Sequence, residues 1–259
     1  MSMNPRINDW KNRRVWVIGA SSGIGHAVAS LLLQKGARVV LSARHDEKLR
    51  ALAKLWPETS TVLLLDVCDE QAWPDANEVL QKTWQGIDHL IFCAADYEAV
   101  RAWTLNANRI REMVNTNLEG PMLAVATVLP AMLSARNGSI SIIASVAGYM
   151  GLPKALVYGP TKAALINFCE SLYLDVHDKG IAVSVINPGF VDTALTKQND
   201  FKMPALITPD TAAREILQGL EAGDFEIHFP KRFTRWLHLI RHLPYSLKFR
   251  ILAKVAAQS

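Results

Sequence analysis

Val15-Trp16-Val17-Ile18-Gly19-Ala20-Ser21-Ser22-Gly23-Ile24-Gly25-His26 is the stretch on which the fold of this chain turns. Four consecutive apolar residues read as a strand buried on both faces, and His26–Lys35 continues with a helical apolar pattern. Three glycines occupy the turn between them. Glycine permits a tight turn, removes a Cβ that would obstruct a pyrophosphate, and leaves the N–H groups and positive dipole end of the helix facing the phosphates. Strand, glycine-rich turn and helix in this order predict a dinucleotide-binding unit, with Gly19, Ser21, Ser22, Gly23, Ile24 and Gly25 as its phosphate loop. A Gly/Ser turn that holds no ligand is the competing reading.

Outward from this unit the same alternation repeats. Short apolar runs at Arg38–Leu41, Thr61–Leu65, His89–Phe92, Ser139–Ile143 and Ala182–Ile186 alternate with helical patterns at Glu47–Leu55, Trp73–Gln85, Arg109–Leu133 and Lys162–Lys179. Such alternation predicts an α/β, Rossmann-like doubly wound parallel sheet with helices on both faces. There is no low-complexity linker or repeat, so residues 1–230 read as a single domain followed by a tail at 231–259.

Composition narrows the classes further. The 259 residues are 50% apolar and 20% charged, enough for a large core and unlike a disordered or fibrous chain. The longest nearly apolar run, Gly120–Leu133, is 14 residues, short of the roughly 20 that span a bilayer. The first ten residues lack the apolar segment of about 7 to 15 residues that a secretory signal needs. These features predict a cytoplasmic protein. Cys68, Cys93 and Cys169 are too few and too scattered for a disulfide framework or zinc site, and read as reduced, buried thiols. His26, His89 and His177 show no ligand spacing, so no metal is expected.

The end of the second strand reads Leu41-Ser42-Ala43-Arg44-His45. An acid there would bind a ribose 2′-hydroxyl, whereas a guanidinium suits a 2′-phosphate, so Arg44 favours NADP(H) over NAD(H) unless it is a solvated loop charge. Further along, Tyr158 and Lys162 stand four apart on one helix face, with Pro160 tolerable in the first turn. Thirteen residues before the tyrosine, Ser145 follows a buried strand, at the carboxyl edge where open α/β sheets bind ligands.

With these residues in hand, the chain resembles the short-chain dehydrogenase/reductase family over about residues 13–195. Its markers are Gly19-x3-Gly23-x-Gly25, Asp66-Val67, Asn117-Leu118-Glu119-Gly120, Ser145, Tyr158-x3-Lys162, and Asn187-Pro188-Gly189 with Thr193. The resemblance implies Tyr158 as general acid/base, Ser145 holding the substrate oxygen and Lys162 on the nicotinamide ribose. It also implies Asn117 as anchor of a water linking Lys162 to solvent, with Asn115 a rival. Cofactor contacts are expected from the phosphate loop, Arg44, Asp66, Val67, Ala94, Tyr158, Lys162, Pro188, Gly189, Val191 and Thr193, and substrate contacts from Ser145 and Tyr158. The Lys162 ammonium and the positive charge of the nicotinamide together are expected to draw the Tyr158 pKa from about 10 toward neutrality.

Two positions depart from the family pattern. Ile18 stands where a threonine usually braces the loop, and Cys93-Ala94-Ala95 replaces side-chain amides after the fourth strand. The segment Phe190–Pro204 corresponds to the substrate loop, and Tyr149, Met150 and Leu152 offer apolar walls, which together suggest a lipophilic carbonyl or alcohol substrate. The family's pairing habit and the small, apolar run Ala163, Ala164, Ile166, Asn167 and Phe168 predict a homodimer or homotetramer. A non-catalytic dinucleotide-binding redox regulator remains the alternative function, although it would be expected to have lost Tyr158 or Lys162.

The formal charge of +4 conceals an asymmetry. Residues 231–259 contain seven Lys or Arg and no acid, leaving +4 − 7 = −3 on the remainder. Phe233, Trp236, Leu237 and Ile240 recur at helical spacing between the bases, Pro244 interrupts, and Ser246–Val255 begins a second segment of the same kind. Two readings of the tail stand: a helix lying peripherally on an anionic membrane, or a lid or subunit contact. Nucleic-acid binding is disfavoured by its leucine and isoleucine content.

Overall fold

The protein was analysed as a computed structural model, which describes residues 2–199 and 203–257. Strands β1 (Arg14–Ile18), β2 (Arg38–Ser42), β3 (Ser60–Val62), β4 (His89–Phe92), β5 (Gly138–Ile143), β6 (Ile181–Pro188) and β7 (Glu226–Phe229) form one sheet. All neighbours are parallel, in the order β3-β2-β1-β4-β5-β6-β7. The order reverses between β1 and β4, and open α/β sheets bind their ligands in the crevice at that switch point.

Alternation within the strands explains the two-sided core. Trp16 and Ile18 point to one face, where they meet Trp73 and Leu80 of α3 (Ala72–Trp84), Val125 and Val128 of α5 (Gly120–Ala135), and Leu165 of α6 (Tyr158–Val176). Val15 and Val17 point to the other, against Val28 and Leu32 of α1 (Gly23–Gln34), Leu49 of α2 (Glu47–Leu55), and Ile216 of α7 (Pro209–Ala222). Each of these strand residues is fully buried, which is why the strands read as unbroken apolar runs.

Several expectations need correction. The third strand ends at Val62, although Leu63 and Leu65 still donate to the carbonyls of Leu41 and Ala43. The helix expected at Arg109–Leu133 is two helices, α4 (Ala107–Val114) and α5, joined by a π-helical turn at Asn115–Glu119. The whole run Ala107–Ala135 is 29 residues and, by length and composition alone, sufficient to cross a bilayer. In this fold its inner side packs on α3, β4 and β5. Cys68 is exposed rather than buried, because it lies in the loop beyond β3. Ile166 and Phe168 lean on the core, so the outward positions of α6 include Ala163, Asn167, Glu170, Ser171, Leu174 and Asp175.

The tail forms α8 (Lys231–Arg241) and α9 (Tyr245–Ala257). His89, far from any ligand cluster, is buried between Ser141 and Ser139 (Nε2 to Oγ 2.7 and 3.2 Å) and stacked on Trp10.

Candidate active site

A cavity of about 860 Å³ opens along the carboxyl edge of the sheet, inside the roughly 300–1,000 Å³ range of small-molecule sites. Every residue expected to contact cofactor lines it: Gly19, Ser21, Ser22, Gly23, Ile24, Gly25, Arg44, Asp66, Val67, Ala94, Tyr158, Lys162, Pro188, Gly189, Val191 and Thr193. Ser145 joins them, but Asn117 does not.

The loop after β1 is built to leave donors free. Gly19 has φ +91°, and a Cβ there would lie 2.5 Å from the backbone nitrogen of Ala94. At Gly25 a Cβ would meet the Gly19 carbonyl oxygen at 2.2 Å. These two glycines therefore keep the loop seated against the protein itself rather than only clearing space for phosphate. The Ser42 carbonyl accepts from the N–H groups of Gly19 (2.7 Å) and Ala20 (3.0 Å), bracing the loop despite Ile18. Ser22 precedes α1 in extended conformation, and no side chain caps the helix. Its first N–H groups face the cavity as an anion site. Arg44 is exposed on the same cavity and, among the described residues, has no ion pair or hydrogen bond. An uncapped helix N-terminus and a partnerless guanidinium on one cavity fit a dinucleotide with an additional phosphate.

Ser145 ends the extended chain after β5, and its Oγ accepts from Ala147 N at 3.1 Å. Tyr158 opens α6 and lines the same cavity as Ser145, whose side chain is near enough to act on its hydroxyl. One turn later Lys162, only 1% exposed, donates from Nζ to the Ile143 carbonyl at 3.0 Å and lies 5.5 Å from the Tyr158 ring centroid.

Among the chain's own groups burial dominates, pushing the Tyr158 phenol up to about 12 against the opposing influence of Ser145; the expected lowering counted the positive charge of the nicotinamide as well as Lys162. Burial also pulls the Lys162 ammonium down to about 7. An amine that is itself reluctant to carry charge offers little electrostatic help to a phenolate. Cys93, on the same cavity, is held as a thiol near 12 by burial.

Asn117 lies behind the cavity lining, not on it. It is fully buried at the π-helical turn, where its Nδ2 donates to Asp96 O and its Oδ1 accepts from Asp96 N, both at 2.7 Å. Both amide groups are thus committed to clamping the chain that leaves β4, the segment whose usual side-chain amides are missing here. Asn115 lines the cavity, with its amide nitrogen directed to Arg111 O and Glu119.

Tyr149, Met150 and Leu152 do not line the cavity among the described residues. Tyr149 is drawn away because its hydroxyl donates to Glu226 Oε1 at 2.6 Å and its ring packs on His238 of α8. The same carboxylate oxygen accepts from Asn187 Nδ2 at 2.8 Å. Tyr97 was equally invisible in the sequence. Its ring meets Tyr158 edge-on at 5.1 Å, and its hydroxyl donates to Asn199 in the Phe190–Pro204 segment, of which residues 200–202 lie outside the described residues.

Comparison with known proteins agrees with this geometry. A family model described as short chain dehydrogenase matches residues 13–203. An uncharacterized oxidoreductase of Myxococcus xanthus (strain DK1622) is 32% identical over 238 residues, covering 91% of this chain and 94% of the relative. The fold is similar to the crystal structure of a short-chain dehydrogenase from Streptomyces avermitilis (TM-score 0.80, 23% identity, 95% of this chain and 98% of that one). It is also similar to ElxO with NADP bound (TM-score 0.74, 24% identity, 84% and 97%).

Proposed function

The chain belongs to the short-chain dehydrogenase family and is an NAD(P)-dependent oxidoreductase, and from that premise we propose that it interconverts a lipophilic carbonyl compound and its secondary alcohol with NADP(H). The observation that carries this reading is the meeting of Ser145, Tyr158 and Lys162 in the cavity that also holds the uncapped end of α1. The nicotinamide, when bound, gives or takes the hydride.

The residues of the chain do the rest. Tyr158 keeps its proton at neutral pH, and in that form it is a donor to a carbonyl oxygen gaining negative charge. Ser145 offers a second hydroxyl to the same oxygen. Lys162 holds the floor of the site through Ile143 and presents its remaining N–H groups to a ribose. Gly19, Ser21, Ser22, Gly23, Ile24 and Gly25 would hold the pyrophosphate and Arg44 a 2′-phosphate. Asp66, Val67, Ala94, Pro188, Gly189, Val191 and Thr193 would hold the remaining parts. Preference for NADP(H) is supported by the free Arg44 guanidinium beside the small Ala43, and by the NADP of the similarly folded ElxO. Tyr97 packs on Tyr158, and the Phe190–Phe233 pair adjoins Gly189; these rings back the cavity lining rather than form it, and they are the apolar surroundings that favour a lipophilic substrate.

A symmetric dimer through α6 is part of the proposal. Ala163, Asn167, Glu170, Ser171 and Leu174, the last 70% exposed, form one exposed side of that helix, mixed in polarity but with small residues that allow close helix approach.

The decisive experiment screens ketones, aldehydes and secondary alcohols for a change in reduced-nicotinamide absorbance, with both coenzymes in parallel. Turnover with NADPH well above NADH is expected. No turnover with any carbonyl or alcohol, or a preference for NADH, would overturn the corresponding part of the proposal.

A further inference from the structure

Helix α8 carries apolar side chains on two sides, and only one side is covered by the body. On the inner side Thr234 and Leu237 are buried, and Thr234 Oγ1 bonds His228 Nδ1 at 2.6 Å. Phe233 lies 5.9 Å from Phe190 between ring centroids, and so close to Gly189 that a Cβ there would meet the ring at 3.0 Å. This side packs on the body, as the lid expected as the alternative to a membrane surface would. The two readings do not compete, because they concern different sides of the helix.

At about 100° per residue, Arg232, Arg235, Trp236 and Leu239 fall on the opposite side. Trp236 is 65% and Leu239 61% exposed. Helix α9 adds exposed Tyr245, Leu247 and Phe249, beside Arg250. Of the fourteen large apolar side chains exposed among the described residues, five therefore lie within residues 236–249. Single exposed hydrophobics need no explanation, but a concentration of this kind marks an interaction surface.

Charge selects the occupant. The whole stretch 231–259 holds seven Lys or Arg without an acid, on a body of net −3. We infer that this surface docks peripherally on an anionic phospholipid bilayer, with Trp236 and Leu239 entering the interface and the exposed Arg232 and Arg235 among the headgroups. Tryptophan, phenylalanine and leucine interleaved with bases are the composition that lies in a lipid interface, and bases near an anionic leaflet add attraction that salt screens. A second copy seated symmetrically on the same patch would bring two sets of arginines together with no acid between them. Through Phe233 the docked helix adjoins Gly189, which lines the cavity, so docking brings the rim of the site to the lipid surface. The inference stands independently of which substrate is turned over.

Flotation tests it with the full chain, using phosphatidylcholine vesicles with and without phosphatidylglycerol over a salt series. The intact protein is expected to float with the anionic vesicles only, less so as salt rises. Two variants, Trp236→Glu/Leu239→Glu and Arg232→Gln/Arg235→Gln, are each expected to lower the partition coefficient by about tenfold or more. Their circular dichroism, coenzyme affinity and light-scattering mass should stay unchanged. Absence of flotation at low salt, equal flotation on neutral vesicles, or undiminished flotation of both variants overturns the inference. A fall in light-scattering mass of Trp236→Glu/Leu239→Glu would assign the patch to a second copy, and overturns it as well.

Discussion

Replacing Tyr158 by phenylalanine removes one oxygen from the proposed acid–base group and leaves the ring in its place. The ring is fixed by Tyr97 at 5.1 Å and by Lys162 beneath it at 5.5 Å, so the packing around position 158 survives. What the fold loses is one phenolic oxygen beside Ser145, a change of about 1 kcal/mol at most. Ser145 itself keeps its bond from Ala147 N. The melting temperature should therefore fall by no more than about 2 to 4 °C. Coenzyme affinity should hardly change, since the phosphate loop and Arg44 are untouched. The rate should suffer far more, because a positioned general acid contributes about 10²- to 10⁴-fold. The assay is kcat/KM on the best carbonyl found, with NADPH affinity measured separately by fluorescence titration. Retention of a tenth of the wild-type rate would refute the assigned role. Loss of NADPH binding in parallel with rate would refute the claim that the substitution acts on chemistry alone.

Arg44→Ala should weaken NADPH by about tenfold to a hundredfold, the worth of a charged hydrogen bond, with NADH scarcely affected, and Ala43→Asp should favour NADH; equal losses for both coenzymes would make Arg44 structural. His89 predicts an acid limit to stability. Burial lowers its pKa from 6.5 to about 3, so below pH 6.5 the unfolded chain takes up a proton that the folded chain refuses, and stability is lost progressively down to pH 3. The full loss is on the order of 4 kcal/mol; denaturant midpoints of wild type and His89→Gln between pH 7 and 4 should diverge, and parallel curves count against the assignment. For the dimer, light scattering should give about twice the 28.7 kDa chain mass, and Leu174→Glu should halve it. A monomer at micromolar concentration in the wild type removes the proposed α6 interface.

Much of this architecture was legible because the sheet is buried on both faces. Val15–Ile18 and His89–Phe92 are apolar at consecutive positions for that reason; the second has the bounds of its strand, and the first starts one residue inside a strand that begins at Arg14. The cofactor cavity was legible because its residues sit at strand ends and in turns, where chain order fixes position. Other features depend on contacts across the fold. Asn117 is 21 residues from Asp96, and only the folded structure shows both its amide groups used on that backbone. Glu226 is 77 residues from Tyr149, so the tie that draws Tyr149 away from the cavity left no local pattern. Helix α7 was not singled out either, although Thr208 caps it and Pro209 opens it. On α8 the spacing of Phe233, Trp236, Leu237 and Ile240 suggested one apolar stripe, whereas Trp236 faces away from Leu237.

The places that serve stability least are the ones gathered around the cavity. Lys162 is buried with a single carbonyl for its ammonium, and burial lowers its pKa to about 7. Between that value and 10.5 the unfolded chain binds a proton that the folded one has released, so stability contributed by this group rises with pH, and the cost of burial is fully present below pH 7. The α1 N-terminus forgoes a side-chain cap, and Gly19 holds a left-handed turn against β4. These costs are local and lie at the β1/β4 switch point, while the strands behind them are sealed on both faces. A fold of this kind can carry a poorly solvated lysine and an uncapped helix because neither interrupts the sheet, and the groups left under-satisfied are the ones a dinucleotide and a carbonyl oxygen would satisfy. The Glu226 carboxylate extends that support outward. By tying Tyr149, which follows the Ser145 turn, and Asn187, just before Pro188, with His238 of α8 packed on Tyr149, it joins the C-terminal helix to the segments that leave both strands bordering the site. The tail is thus structurally continuous with the loops that shape the cavity, and its inner side belongs to the enzyme while its outer side remains for a surface.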